Sequence, residues 1–126
     1  VCAAAGVATL QLIDDLGLVA NAGIMGPYLL ERLEDAVGSH ANVAEVRGIG
    51  LMAAVEFMES PAAGTGYSDM AVSPAISTAM LKRGVIARAI PEGNIIGITP
   101  SLCTSRTGVD HVTDALRAAV HEVLGK

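Results

Sequence analysis

The chain has 126 residues, 52% of them hydrophobic and 17% charged, and a net charge of −5. That length suits a single domain that buries roughly two-thirds of its unfolded surface. The acidic balance, with no basic run, excludes the electrostatic footprint of a nucleic-acid binder, and no apolar stretch reaches the roughly 20 residues that span a bilayer.

The rings are confined to Tyr28, Phe57 and Tyr67. A core short of rings must be filled by small aliphatic side chains at close range, which favours helices lying flat on a sheet. The chain opens on VCAAAGVATLQLIDDLG, without Met and without a capping Ser, Thr, Asp or Asn. It reads as a helix already under way, and so as a piece of a longer protein. Residues 2–15 have the alanine and leucine content of a helix, and Gly17 suits its end. From 18 to 37 apolar residues recur near a 3.6 period at Val19, Ala22, Met25, Leu29, Leu33 and Val37. Pro27 interrupts that pattern and predicts a kink near 24–26, or two shorter helices.

Residues 43–46 and 51–58 read as strands around Arg47-Gly48-Ile49-Gly50, and 60–68 as a loop. The spacing predicts a helix over 74–83, capped by Ser73 with Pro74 at its first position and ended by Gly84. Residues 85–90 and 95–99 are expected strands around a Pro-Glu-Gly-Asn turn. Thr104 or Ser105 caps a last helix with apolar positions Val109, Val112, Leu116, Ala119, Val120 and Val123. The expected fold is α+β: a two-layer sandwich with a small, mainly antiparallel sheet and helices on one face.

Little chemistry stands out. Cys2 and Cys103 are far apart and read as reduced cytosolic thiols, Cys103 having no neighbouring His or Lys to activate it. His40, His111 and His121 lack metal-ligand spacing. Gly48-x-Gly50 is followed by strand rather than helix, so it is no dinucleotide fingerprint. Glu56, in an apolar strand, reads as solvent-facing or Arg-paired on an edge. Asp14-Asp15 and Glu31, Glu34 and Asp35 read as solvated helix faces. The two lysines, Lys82 and Lys126, sit at a helix end and at the last position, and neither is placed for Schiff-base chemistry. Arg88 is the exception. Alternation puts it on one strand face with Ile86 and Ile90. It is either a surface charge on an edge strand, paired with Glu92, or a clamp for a carboxylate.

Three segments in order, CAAAGVATLQLIDDLGLVANA, VAEVRGIGLMAAVEF and RGVIARAIPEGNIIGITPSLCTSRTGVDHVTDALRAAV, resemble the C-terminal small domain of class III, fold-type I, pyridoxal-phosphate aminotransferases. The resemblance is to the omega-transaminase branch. It implies one domain over 1–126, with 1–16 as the connecting helix from a large domain. It further implies a cytoplasmic homodimer that moves an amino group from an amine to a keto acid such as pyruvate. Pyridoxal 5'-phosphate and its lysine would belong to the large domain, so this chain alone would be inactive. Arg88 matches the mobile arginine that binds substrate carboxylate and swings away for carboxylate-free amines. Gly97 stands where ornithine-type relatives carry a second carboxylate-binding arginine. Ser101 and Gly108 depart from the family pattern, replacing a second proline and a helix-favouring glutamate. The other readings of the residues are a non-catalytic small-acid-binding domain and a dimerisation module.

Overall fold

The structure is a computed structural model and describes residues 1–125; Lys126 lies outside them. Its helices are α1 (Cys2–Asp15), α2 (Leu18–Leu33), α3 (Val72–Leu81) and α4 (Arg106–Leu124). Its strands are β1 (Val43–Ile49), β2 (Met52–Phe57), β3 (Arg88–Ile90) and β4 (Ile95–Ile98). The strands form one antiparallel sheet in the order β1-β2-β4-β3. This is the expected α+β sandwich.

Period two divides each strand between two faces. Ala53, Val55 and Phe57 of β2 and Ile96 and Ile98 of β4 are buried. They meet Leu29 and Leu33 of α2, Ile76 and Met80 of α3, and Leu116 and Val120 of α4 in one apolar cluster. Burial of each such side chain contributes roughly 1.5–3 kcal/mol. Helices α2, α3 and α4 lie on this side, while α1 buries none of its residues.

Four local expectations need correction. The chain changes direction by 60° between α1 and α2, at the left-handed Gly17, while α2 runs unbroken through Pro27. Pro27 and Gly23 are both exposed, so the Gly23 carbonyl that Pro27 cannot serve is free to bond water. The β1 strand continues through Arg47, Gly48 and Ile49, and the reversal falls at Gly50, whose φ is 54°. A Cβ on Gly48 would stand 2.5 Å from the Met52 carbonyl oxygen, so the tight hairpin needs glycine there. Helix α3 begins at Val72, with Ser73 buried inside its first turn rather than capping it. The strand expected over 85–90 pairs only at Arg88–Ile90. The last helix is capped by Ser105, whose Oγ accepts from the Gly108 amide. Gly108 is suited to that turn, because a Cβ there would approach Thr104 Oγ1 to 2.8 Å.

Candidate functional site

The face of the sheet turned away from the helices is uncovered. The ladder aligns four residues across it, Arg47 with Ala54, Ala54 with Gly97, and Gly97 with Arg88. Two arginines therefore stand at the ends of a floor made by an alanine and a glycine. A shallow trough of about 330 Å³ lies over the β1–β2 end of this face, lined by Arg47, Ile49, Met52 and Ala54. Met52 and Ile86 are 63% and 90% exposed, so Ile86 offers open apolar surface.

The two arginines differ in what they hold. Arg47 Nη1 donates to Glu56 at 2.6 Å and to Glu45 at 2.7 Å. The Glu56 bond, then that to Glu45, holds its guanidinium firmly protonated against the cost of burial. Glu56 is thus Arg-paired, as its residue type suggested, but on an inner strand rather than an edge. Arg88 is exposed on the edge strand β3 and has no ion-pair partner within 4 Å among the described residues, Glu92 included. A Cβ on Gly97 would sit 3.8 Å from Arg88 Cβ, in ordinary contact. With hydrogen there, the arginine stem has room to lie across the strand or to lift from it.

The remaining candidates fall elsewhere. Lys82 Nζ donates to Glu122 at 3.1 Å in the helix layer. Cys2 and Cys103 are free and exposed, and Ser101 Oγ lies 2.9 Å from Cys103 Sγ. Among the described residues no cluster of His, Cys, Asp and Glu could hold a metal ion. A second cleft, of about 200 Å³, lies between 66–70 and the turn at 91–94. It borders Tyr67, whose phenol is pushed up by burial and then by the Glu59 charge.

Residues 1–120 match the family model for class-III aminotransferases. The chain belongs to that family. It is 44% identical over 121 residues to a diaminobutyrate–2-oxoglutarate transaminase of Halomonas elongata, covering 95% of this chain and 26% of that protein. It is 28% identical to a taurine–pyruvate aminotransferase of Rhodobacter capsulatus, covering 95% and 27%. Among solved structures it superposes on one from directed evolution of transaminases by ancestral reconstruction, with a TM-score of 0.94, 42% identity, and coverage of 98% and 27%. An (S)-enantioselective omega-transaminase from Thermomicrobium roseum gives 0.86, 32% identity, and coverage of 94% and 26%. The chain spans about a quarter of the length of these relatives.

The described residues do not make a holder for the pyridoxal phosphate that the family implies. Lys82 is committed to Glu122. The amides at the start of α3, where a phosphate could bind, are taken by the Asn94 side chain, whose Oδ1 accepts from Val72 and Ser73 at 3.1 and 3.2 Å. What this face can do is bind an anion at Arg88.

Proposed function

We propose that the chain is the C-terminal small domain of an omega-transaminase-like enzyme. It would cap an active site whose cofactor and catalytic lysine belong to a large domain, in a homodimer. The whole enzyme would move an amino group from an amine to a keto acid. The observation that carries this reading is Arg88, without an ion-pair partner among the described residues, on an uncovered sheet face opposite Gly97 in a chain of this family.

Arg88 would hold the carboxylate of the keto acid through its planar fork, positioning the substrate without moving a proton. An exposed guanidinium tied to no carboxylate can also turn away, leaving Ile86 and Ile90 as an apolar seat for an amine lacking that group. The acceptor this arrangement favours is a monocarboxylate such as pyruvate. Gly97 supplies no second cation beside Arg88, and Arg47 is already shared between Glu45 and Glu56. The Halomonas relative is named for 2-oxoglutarate, so the two acceptors are to be compared directly. A preference for 2-oxoglutarate would place its second carboxylate contact on another part of the protein.

The test is Arg88→Ala in the full-length protein. A lost charge-assisted carboxylate contact raises KM for keto acids roughly ten- to hundredfold. KM for a simple arylalkyl amine stays unchanged. Equal losses on both substrates would sink the assignment.

A further inference from the structure

We propose that Ser77 and Asn94 are positioning residues for Arg88, a role that rests on the carboxylate-binding reading above. The sheet alone holds Arg88 poorly. Strand β3 has three residues, lies at the edge, and pairs on one side only, through Arg88 with Gly97, Ala89 with Ile96 and Ile90 with Ile95. Residues 85–87, which lead into it, form no ladder.

Helix α3 supplies the missing restraint from both ends of the strand. Its Ile76, Ala79 and Met80 are buried in the core, which makes it a firm anchor. Upstream, Ser77 Oγ donates to the Ala87 carbonyl at 2.7 Å, one residue before Arg88. Neighbouring Thr78 spends its hydroxyl inside the helix, on Pro74; Ser77 sends its proton outward instead. Downstream, Asn94 closes the turn that follows β3. Its backbone is left-handed, with φ 47° and ψ 50°. Its Oδ1 accepts from Val72 and Ser73, its Nδ2 donates to the Asp69 carbonyl at 2.8 Å, and its own carbonyl accepts from the Phe57 amide at 3.1 Å. Asn94 thus ties the turn after Arg88 to α3 and the loop before it through its buried side chain, and to the end of β2 through its backbone carbonyl. A three-residue strand bracketed this way holds its register, and Arg88 stays opposite Gly97.

The experiment uses the full-length protein with Ser77→Ala and Asn94→Gly; glycine keeps the left-handed backbone and removes only the side-chain bonds. Each variant raises KM for the keto acid about two- to tenfold, an effect the size of about one ordinary hydrogen bond. KM and kcat for a carboxylate-free amine stay unchanged, and Ser77→Thr, which keeps the hydroxyl, restores the keto-acid value. Amide hydrogen exchange speeds up in the peptide covering 86–90 and not in α4. Adding Ser77→Ala to Arg88→Ala gives no further change in keto-acid KM. Equal kinetic losses on both substrates, or faster exchange throughout, show a merely structural role and overturn the proposal, as does no change in either readout. If Arg88→Ala itself leaves keto-acid KM untouched, the carboxylate-binding reading fails on its own, and exchange over 86–90 still decides whether the tethers hold the strand.

Discussion

The two faces of the sheet are built from the same strands and solve opposite problems. On the inner face Ala53, Val55, Phe57, Ile96 and Ile98 are each 5% exposed or less and are sealed by α2, α3 and α4. On the outer face the same strands carry Arg47, Glu56 and Arg88 around Ala54 and Gly97, with nothing above them. The inner face needs only shape and hydrophobicity to fold. The outer face holds small residues and charges where larger apolar ones would fit the strands better. Residues that do nothing for the core yet leave a floor between two arginines are what a binding surface requires.

Substitutions that treat both faces alike would break this contrast. Phe57→Ala removes the largest fully buried side chain of the inner face and should cost about 3–5 kcal/mol. Met52→Ala, at the other end of the same strand and on the outer face, should stay within about 0.5 kcal/mol. Denaturant titration of both variants checks the difference. Similar losses would mean that the outer face is part of the core.

Much of the inner face was legible from periodicity. The 3.6 period in the last helix picks out Val109, Leu116, Ala119 and Val120, which are buried, and 51–58 and 95–99 read as the strands β2 and β4 that carry the rest of that face. The outer face was less so. Alternation groups Arg88 with Ile86 and Ile90, but burial of 85 and 87 against solvent at 86 and 88 depends on which side the helices take. The start of α3 escaped for a different reason. Ser73 and Pro74 look like a local cap and first residue, yet the amides of that turn are satisfied by Asn94, more than twenty residues downstream. Local signals describe caps within a turn or two, whereas this one is delivered by tertiary folding. The one cue in the sequence was an asparagine after Pro-Glu-Gly, a residue that tolerates a left-handed backbone and still offers a side-chain acceptor. Pro27 misled likewise, because its disruption depends on whether the orphaned carbonyl reaches water.

The contrast sharpens when the outer sheet face is set beside the outer surface of the helix layer, which also carries charge. There Tyr28 donates to Asp110 at 2.7 Å, Arg32 donates to the same oxygen at 3.0 Å, and Arg106 lies over the Tyr28 ring. These bonds tie α2 to α4, and they spend the Tyr28 hydroxyl, the Arg32 guanidinium and the Asp110 carboxylate on one another. The Tyr28 bond, then Arg32, holds the Asp110 carboxyl below the usual carboxylate range, while the same bond pushes the Tyr28 phenol up. A depressed acid contributes stability above the usual carboxylate range and loses it as pH falls through and below that range. Asp110→Asn should therefore flatten the acid side of the stability–pH curve. Tyr28, shifted up, contributes at lower pH and loses its contribution as pH rises through the phenol range, so Tyr28→Phe should flatten the alkaline side. Arg88→Ala should alter neither limb, and thermal melts across pH separate the two surfaces.

The smallest effect concerns the other arginine of the outer face. Glu45 and Glu56 are direct cross-strand partners, and Arg47 bridges them. Two carboxylates facing each other repel. Removing one of their charges, as in Glu56→Gln, loses an ion pair but also relieves that repulsion. With Arg47 and Glu56 side chains 39% and 31% exposed, the net cost should be below about 0.5 kcal/mol. Arg47→Met leaves both carboxylates and takes away their bridge, so it should cost more, up to about 1 kcal/mol, and added salt should narrow the gap by screening the repulsion. If instead Glu56→Gln proves the costlier change, the Arg47–Glu56 pair outweighs the repulsion between the carboxylates, and Arg47 is the partner of Glu56 rather than a bridge between two acids.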